Sequence, residues 1–253
     1  VWLTQEEEER FYYGFSNEAL WPLCHIVYVK PKFDEADWLI YKSVNQKFAN
    51  VVLEEVGNEK AFVFIQDYHF TLLPKMLKES RPDLLVAQFW HIPWPNREAF
   101  RICPWGHEIL EGLLGNDLMG FHVQYHCNNF LDTVDRNLES RIDYGKFTAT
   151  KGGKTTHVRP FPISIDFEEL NLLSQEKDVE NEMVRMKREL GLKGQIIGVG
   201  LDRVDYTKGI PERFKAIDRF LEKYPEYRNK FTFIQAGTIS RIHIEDYRDC
   251  NDT

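Results

Sequence analysis

The residues best equipped for chemistry sit where apolar runs stop. In VGLDRVDYTKGIPERF, Val199 to Phe214, an apolar run ends in Asp202, Arg203, Asp205 and Lys208 before Gly209 and Pro211 open a helix. Cations at the end of a buried strand suit an anion, because a guanidinium grips phosphate through two parallel hydrogen bonds and a lysine adds a point charge. Local pairing competes with this: Arg203 can close on Asp202 or Asp205 and leave Lys208 in water. Both readings stand at this point. Four other apolar runs end in the same way, in QDYH (Asp67, His69), HIPWP (His91), HVQYH (His122, His126) and TISR (Arg241). Hydrogen-bonding and charged groups repeated at strand ends point to a shared ligand cleft along the carboxyl edge of parallel sheets.

Several chemistries are disfavoured. His122 and His126, with Cys127 beside them, have the spacing of metal ligands, but they straddle a strand end and a helix start and no HExxH glutamate accompanies them. No metal is assigned. There is no GxSxG elbow, and Cys103 and Cys127 lack the flanks of known cysteine nucleophiles, so covalent catalysis is not indicated and no cofactor is implied. Walker and GxGxxG loops are absent, since Gly198-Val199-Gly200 lies inside an apolar run. In YYGFSNEALWP, Tyr13 and Trp21 read equally as core or as aromatic faces for a sugar ring.

The elements that must position these groups follow from periodicity. Thr4 and Glu7 form a capping box for a helix through about Tyr13, and Ser16-Asn17 reads as the cap of a second helix ending near Pro22. Between Asp37 and Val56, Tyr41, Val44, Phe48, Val51 and Val52 recur at helical spacing. Short apolar runs then alternate with helices: AFVFI, LLVAQFW, LMGFHV, QIIGVGL and FTFIQAG alternate with TLLPKMLKE, GHEILEGLL, CNNFLDTVDRNL and PERFKAIDRFLEKY. Continuous apolar strands with intervening helices predict an α/β fold with parallel sheets covered on both faces. FTATKGGKTTHVRPFPI predicts a hairpin about Gly152-Gly153. A second domain begins near Asp166, with two strands and one full helix. The missing initiator methionine and this short second unit suggest a fragment.

The 253 residues carry a net charge of −8 and a pI near 5.6, with acids and bases dispersed, so no basic surface for nucleic acid is expected. Cys24, Cys103, Cys127 and Cys250 form no CxxC pair and suit a reducing, cytoplasmic setting. No apolar run is long enough to span a membrane. A homo-oligomer is compatible with the sequence, which carries no signal for or against it.

Taken together, YYGFSNEALWP, QDYH, HIPWP, LLGNDLMGFH, RVDYTKGIPERF and TISR, in that order from about Tyr12 to Arg241, resemble the retaining glycosyltransferases of the trehalose-6-phosphate synthase family. The resemblance spans nearly the whole chain. It implies the GT-B arrangement of two Rossmann-like domains facing across a cleft: an acceptor-side domain over residues 1–165, missing its first strands, and the truncated start of a nucleotide-sugar-binding domain over 166–253. It implies that Tyr13 and Trp21 hold a glucose 6-phosphate acceptor, with Arg241 on its phosphate. Asp67 and His91 would contact sugars at the reaction centre, and Arg203 and Lys208 would clamp the diphosphate of UDP-glucose. The implied partners are small molecules, a nucleotide-glucose and a sugar phosphate. The family's N-terminal glycine-containing loop and acidic C-terminal segment have no counterpart here, so the chain alone is expected not to turn over. HIPWPNREAFRICPW and HVQYHCNNF also resemble glucosylglycerol-phosphate synthases, whose acceptor is glycerol 3-phosphate. A non-catalytic regulatory module is a third reading.

Overall fold

The computed structural model describes residues 1–26 and 29–238. Thr4 accepts the Glu7 amide and Glu7 returns a carboxylate to the Thr4 amide, so the capping box opens α1 (Gln5–Glu7). The break expected at Ser16-Asn17 does not occur. The helix continues from Glu8 to Leu20 in a π winding, with the Trp21 amide bonding Ser16 O five residues back, and runs into α2 (Trp21–His25). Ser16 and Asn17 are buried within it at 0% and 2% exposure. The Asn17 side chain is satisfied on both sides: Nδ2 donates to Tyr12 O, a carbonyl of the same helix, at 2.6 Å, and Oδ1 accepts the Tyr68 hydroxyl at 2.9 Å. Pro22 falls in the first turn of α2, where a missing N–H costs little.

Asp34 caps α3 (Glu35–Val56) by accepting the Ala36 and Asp37 amides. This helix buries Trp38, Tyr41, Val44, Asn45 and Ala49 and leaves Val51 exposed, a phase slightly different from that expected. There follow β1 (Phe62–Gln66), a short 3-10 turn (Tyr68–Phe70), α4 (Leu73–Ser80), β2 (Leu85–Phe89), α5 (Arg97–Phe100), α6 (Gly106–Leu113), β3 (Leu118–Phe121), α7 (Gln124–Asn137), β4 (Arg141–Asp143), β5 (Thr148–Lys151) and β6 (Lys154–Pro160). Their sheet has the order β1-β2-β3-β6-β5-β4.

The pairs β1/β2, β2/β3 and β3/β6 are parallel, whereas β5 pairs antiparallel with both β4 and β6. The hairpin forms where expected, with Gly152 and Gly153 at φ 56° and 79°, a turn that favours glycine. Its second strand also becomes the fourth parallel strand, so the sheet is mixed rather than purely parallel. Coverage departs from expectation at β1, which lies at the sheet edge: Ile65 is buried, while Phe62 and Phe64 are 64% and 57% exposed. Elsewhere a continuous aromatic core, including Phe15, Trp38, Tyr41, Trp90, Trp94, Phe121 and Phe130, joins the helices to the sheet.

The chain divides into two units, Val1–Ile163 and Ser164–Thr253. The second contains α8 (Phe167–Leu173), α9 (Lys177–Glu189), β7 (Ile196–Arg203), a 3-10 turn (Tyr206–Lys208), α10 (Ile210–Lys223) and β8 (Phe231–Thr238). β7 and β8 pair in parallel from Ile196–Phe231 to Arg203–Thr238. Val199 and Leu201 of β7 stand 69% and 81% exposed, so this sheet has an apolar face that the described residues do not cover.

Candidate functional site

Because β1, β2 and β3 are parallel and adjacent, the residues that follow them lie in a row at one edge of the sheet: Asp67, His91 and His122. Asp67 sits at φ 65°, ψ −166°, a region almost reserved for glycine that costs a residue with a side chain about 1–3 kcal/mol. Neighbouring strands hold it there. Its N–H donates to Phe89 O at 2.7 Å, its carbonyl accepts Gln88 Nε2 at 2.8 Å, and its Oδ1 accepts the His91 N–H at 3.2 Å. Gln88, 1% exposed, accepts in turn from Asn116 Nδ2 at 3.0 Å. The buried amides therefore set the backbone, and the backbone turns the carboxylate toward the start of the next strand's exit loop.

His91 lies at the surface. Its Nε2 is 2.8 Å from Gln66 Oε1, an acceptor, which assigns the ring proton to Nε2 and leaves Nδ1 as the acceptor nitrogen. Its ring meets Phe89 edge-on at 4.7 Å and His122 at 5.8 Å.

The turn after Asp67 carries an aromatic wall. Tyr68 is buried and its ring stacks on His69 at 4.2 Å, and Tyr12 also stacks on His69, at 5.5 Å with 12° between planes. The turn is fixed from α3: the Tyr41 hydroxyl donates to Tyr68 O at 3.0 Å and Asn45 Nδ2 to His69 O at 3.3 Å. Of the two predicted acceptor aromatics, Tyr13 is half-buried and meets Tyr12 edge-on at 5.1 Å. Trp21 is only 8% exposed, its ring 3.7 Å from that of His25 and 6.0 Å from that of Tyr68. Residue-by-residue reading passed over Tyr12, Gln66 and Gln88. The paired tyrosines of FYYGF were the available signal for the first; nothing local marked the glutamines.

His126 does not join the row. Its Nδ1 faces Trp94 O at 3.2 Å, and burial holds its pKa below the usual value. Cys127 is buried, its thiol pushed up to about 11 by burial, and Cys103 is pushed to about 12 for the same reason. Among the described residues no group of three or more His, Cys, Asp or Glu side chains is disposed to hold a metal ion.

In the second unit, the loop after β7 is organised by Asp205, which is wholly buried. Its Oδ1 accepts the Thr207 amide at 2.9 Å and the Thr207 hydroxyl at 2.7 Å, while Oδ2 takes Arg203 Nη2 at 3.3 Å. Asp202 pairs instead with Arg213 at 2.8 Å, which holds its carboxyl below the usual carboxylate range. The local ion pair weighed for Arg203 thus exists, with Asp205 as partner. It leaves the Arg203 side chain 42% exposed, and Lys208 is exposed in the same loop. Gly209, at φ 62°, turns the chain into α10. Arg241 lies outside the described residues.

These units, strands alternating with helices and polar groups gathered at the strand ends, are those of a GT-B glycosyltransferase. More narrowly, the chain belongs to glycosyltransferase family 20, whose profile matches residues 1–253. It is 38% identical over 256 residues to a trehalose-6-phosphate synthase of Mycolicibacterium smegmatis, an alignment covering 98% of this chain and 50% of the relative. A solved alpha,alpha-trehalose-phosphate synthase (UDP-forming) from Burkholderia xenovorans, in complex with glucose-6-phosphate, superposes with a TM-score of 0.89 at 28% identity, covering 98% of this chain and 55% of that one. An E. coli structure bound with UDP-2-fluoro glucose superposes with a TM-score of 0.88 at 29% identity, covering 99% of this chain and 54% of its own. The chain spans about half the length of the curated relatives it matches. No helix among the described residues is long and apolar enough to cross a membrane.

Proposed function

We propose that this chain supplies the acceptor side and the diphosphate-binding cations of a retaining glucosyltransferase that joins UDP-glucose to glucose 6-phosphate, giving trehalose 6-phosphate. The observation that carries this reading is the strained Asp67, tied to the His91 amide at the neighbouring strand end, because strain of this kind persists where a side chain must be aimed. The names of the relatives support the choice of acceptor and donor.

In this reading Asp67 and His91 bind hydroxyl groups of the reacting sugars. Asp67 accepts a hydroxyl hydrogen on its carboxylate, and His91 offers Nδ1 as an acceptor while Gln66 holds its other nitrogen. Tyr13 and Trp21 shape the acceptor site and Arg241 binds its phosphate. Arg203 and Lys208 stabilise the negative charge that builds on the departing diphosphate, the larger part of such catalysis being electrostatic. The acceptor hydroxyl attacks the anomeric carbon on the face the diphosphate leaves, through an oxocarbenium-like state, and a leaving phosphate oxygen takes the hydroxyl proton. The C–O bond to the diphosphate breaks as the C–O bond to the acceptor forms, so configuration is retained. The exposed apolar face of β7 and the half-length match to relatives support the further expectation that these 253 residues bind substrate without turnover.

Calorimetry tests the acceptor assignment. Glucose 6-phosphate should bind the folded chain, glycerol 3-phosphate should bind more weakly, and Arg241→Ala should abolish the heat. A folded wild-type chain that binds neither compound removes the assignment; binding of glycerol 3-phosphate alone redirects it to a glucosylglycerol-phosphate synthase. Release of trehalose 6-phosphate, read by mass spectrometry, would refute the expectation of no turnover.

A further inference from the structure

His122 is the one member of the strand-end row that the proposed reaction leaves unused. It follows β3 directly, as His91 follows β2 with one residue between, and the two rings lie 5.8 Å apart at 69°. Its ring also meets that of Phe89 in a T-shaped contact, centroids 4.9 Å apart at 86°. It is half-buried, and among the described residues it makes no hydrogen bond or ion pair. A half-buried imidazole against an aromatic ring, with neither nitrogen hydrogen-bonded among the described residues, presents a donor and an acceptor to whatever occupies that edge.

The neighbours say what that occupant is. Gly120, on β3, has the Phe89 and Phe161 rings packed where a Cβ would go, so the surface of this strand end is aromatic. The polar groups near His122 include His91 and His126, and beyond His91 lie the Asp67 carboxylate and the Gln66 amide, groups that suit hydroxyls, the carboxylate repelling a phosphate. The row also has a direction. The aromatic wall of Tyr12, His69 and Tyr68 adjoins Asp67 at one end, and His122 lies at the other, on the far side of His91 from the wall. If the wall serves the acceptor, His122 serves the sugar being transferred.

We propose that His122 is a substrate-contacting residue that hydrogen-bonds a hydroxyl of the donor's glucosyl ring, so that His91 and His122 together orient that ring. This rests on the glucosyltransfer reading above and specifies part of the same site. Histidine side-chain resonances of the protein, followed by two-dimensional 1H–15N NMR during titration with UDP-glucose and separately with UDP, test it. UDP-glucose should shift the His122 ring signals and UDP alone should leave them in place, with His107 and His157 unmoved by either. His122→Leu should weaken UDP-glucose binding at least fivefold while leaving UDP binding unchanged, and His122→Gln, which keeps a donor and an acceptor, should recover part of the loss. UDP-glucose binding with unmoved His122 signals and an unchanged affinity in His122→Leu would overturn the proposal and leave the glucosyltransfer reading intact. Absence of any UDP-glucose binding by the folded protein would overturn that reading, and this proposal with it.

Discussion

Replacing Asp67 by glycine and by alanine separates backbone strain from side-chain function. Both variants lose the carboxylate and its bond to the His91 amide, so those losses cancel when the two are compared. Alanine must still adopt φ 65°, ψ −166°, which costs about 1–3 kcal/mol, whereas glycine reaches it freely. Glycine pays instead in the unfolded state, where its extra freedom is worth about 0.4–1 kcal/mol. The balance makes Asp67→Gly more stable than Asp67→Ala by about 1–2 kcal/mol, the reverse of the usual order, in which glycine is worse by about 0.5–1 kcal/mol within regular structure. For a unit of this size the difference corresponds to roughly 2–8 °C in Tm. Thermal unfolding followed by tryptophan fluorescence reads it, since the aromatic core of the first unit carries buried tryptophans. Both variants should bind glucose 6-phosphate weakly or not at all. An alanine variant as stable as the glycine variant would show that Asp67 is not strained, and would remove the observation on which the functional reading leans most.

Two further outcomes follow from charge placement. Asp205→Ala removes a buried acceptor of two Thr207 bonds and the partner of Arg203, and should cost about 2–4 kcal/mol, against about 1 kcal/mol for Asp205→Asn, which keeps an oxygen for Thr207. Hydrogen exchange at the Thr207 and Lys208 amides should quicken in that order, and equal effects of the two substitutions would contradict the role given to the carboxylate. Glu111 bridges Lys75 at 2.8 Å and Lys151 at 2.7 Å, which holds its pKa down to about 2, led by the Lys151 bond. Because the folded pKa lies below the unfolded value, the stabilisation is full above about pH 4.5 and disappears as pH falls toward 2. The shift alone corresponds to about 3 kcal/mol, but the lysines are a third or more exposed and solvent screening reduces it to about 1–2 kcal/mol. Glu111→Gln should therefore lower the urea midpoint at pH 7, and the gap from wild type should narrow at pH 2.5; a gap independent of pH would assign the loss to packing.

Much of the site is local in origin. Apolar runs of about four to seven residues mark strands whatever their neighbours, and the polar residue that follows each run is placed at a strand end by continuity of the chain alone. Asp67, His91 and His122 could be found in this way, as could the loop of Arg203 and Lys208. The reading failed where a second segment decides the outcome. Ser16-Asn17 predicts a helix cap, and so a break, because serine and asparagine usually bond nearby backbone outside helices; Asn17 instead bonds Tyr68, 51 residues away, and the helix runs on through it. Tyr12, to which no role is given in the sequence, stacks on His69.

The sequence by itself determined the alternation of strands and helices, the polar residues at strand ends and the two-glycine hairpin, because hydrophobic periodicity, capping and turn chemistry act over a few residues. Only the tertiary structure decided that β6 pairs with β3, that Gln66 and Gln88 hold His91 and Asp67, and that Asp67 is bent into a conformation its own side chain disfavours. Each of these depends on a hydrogen bond whose partner lies roughly 20 or more residues distant. Such a bond has no counterpart in local composition, and it exists only once burial of the core has brought the two strands together.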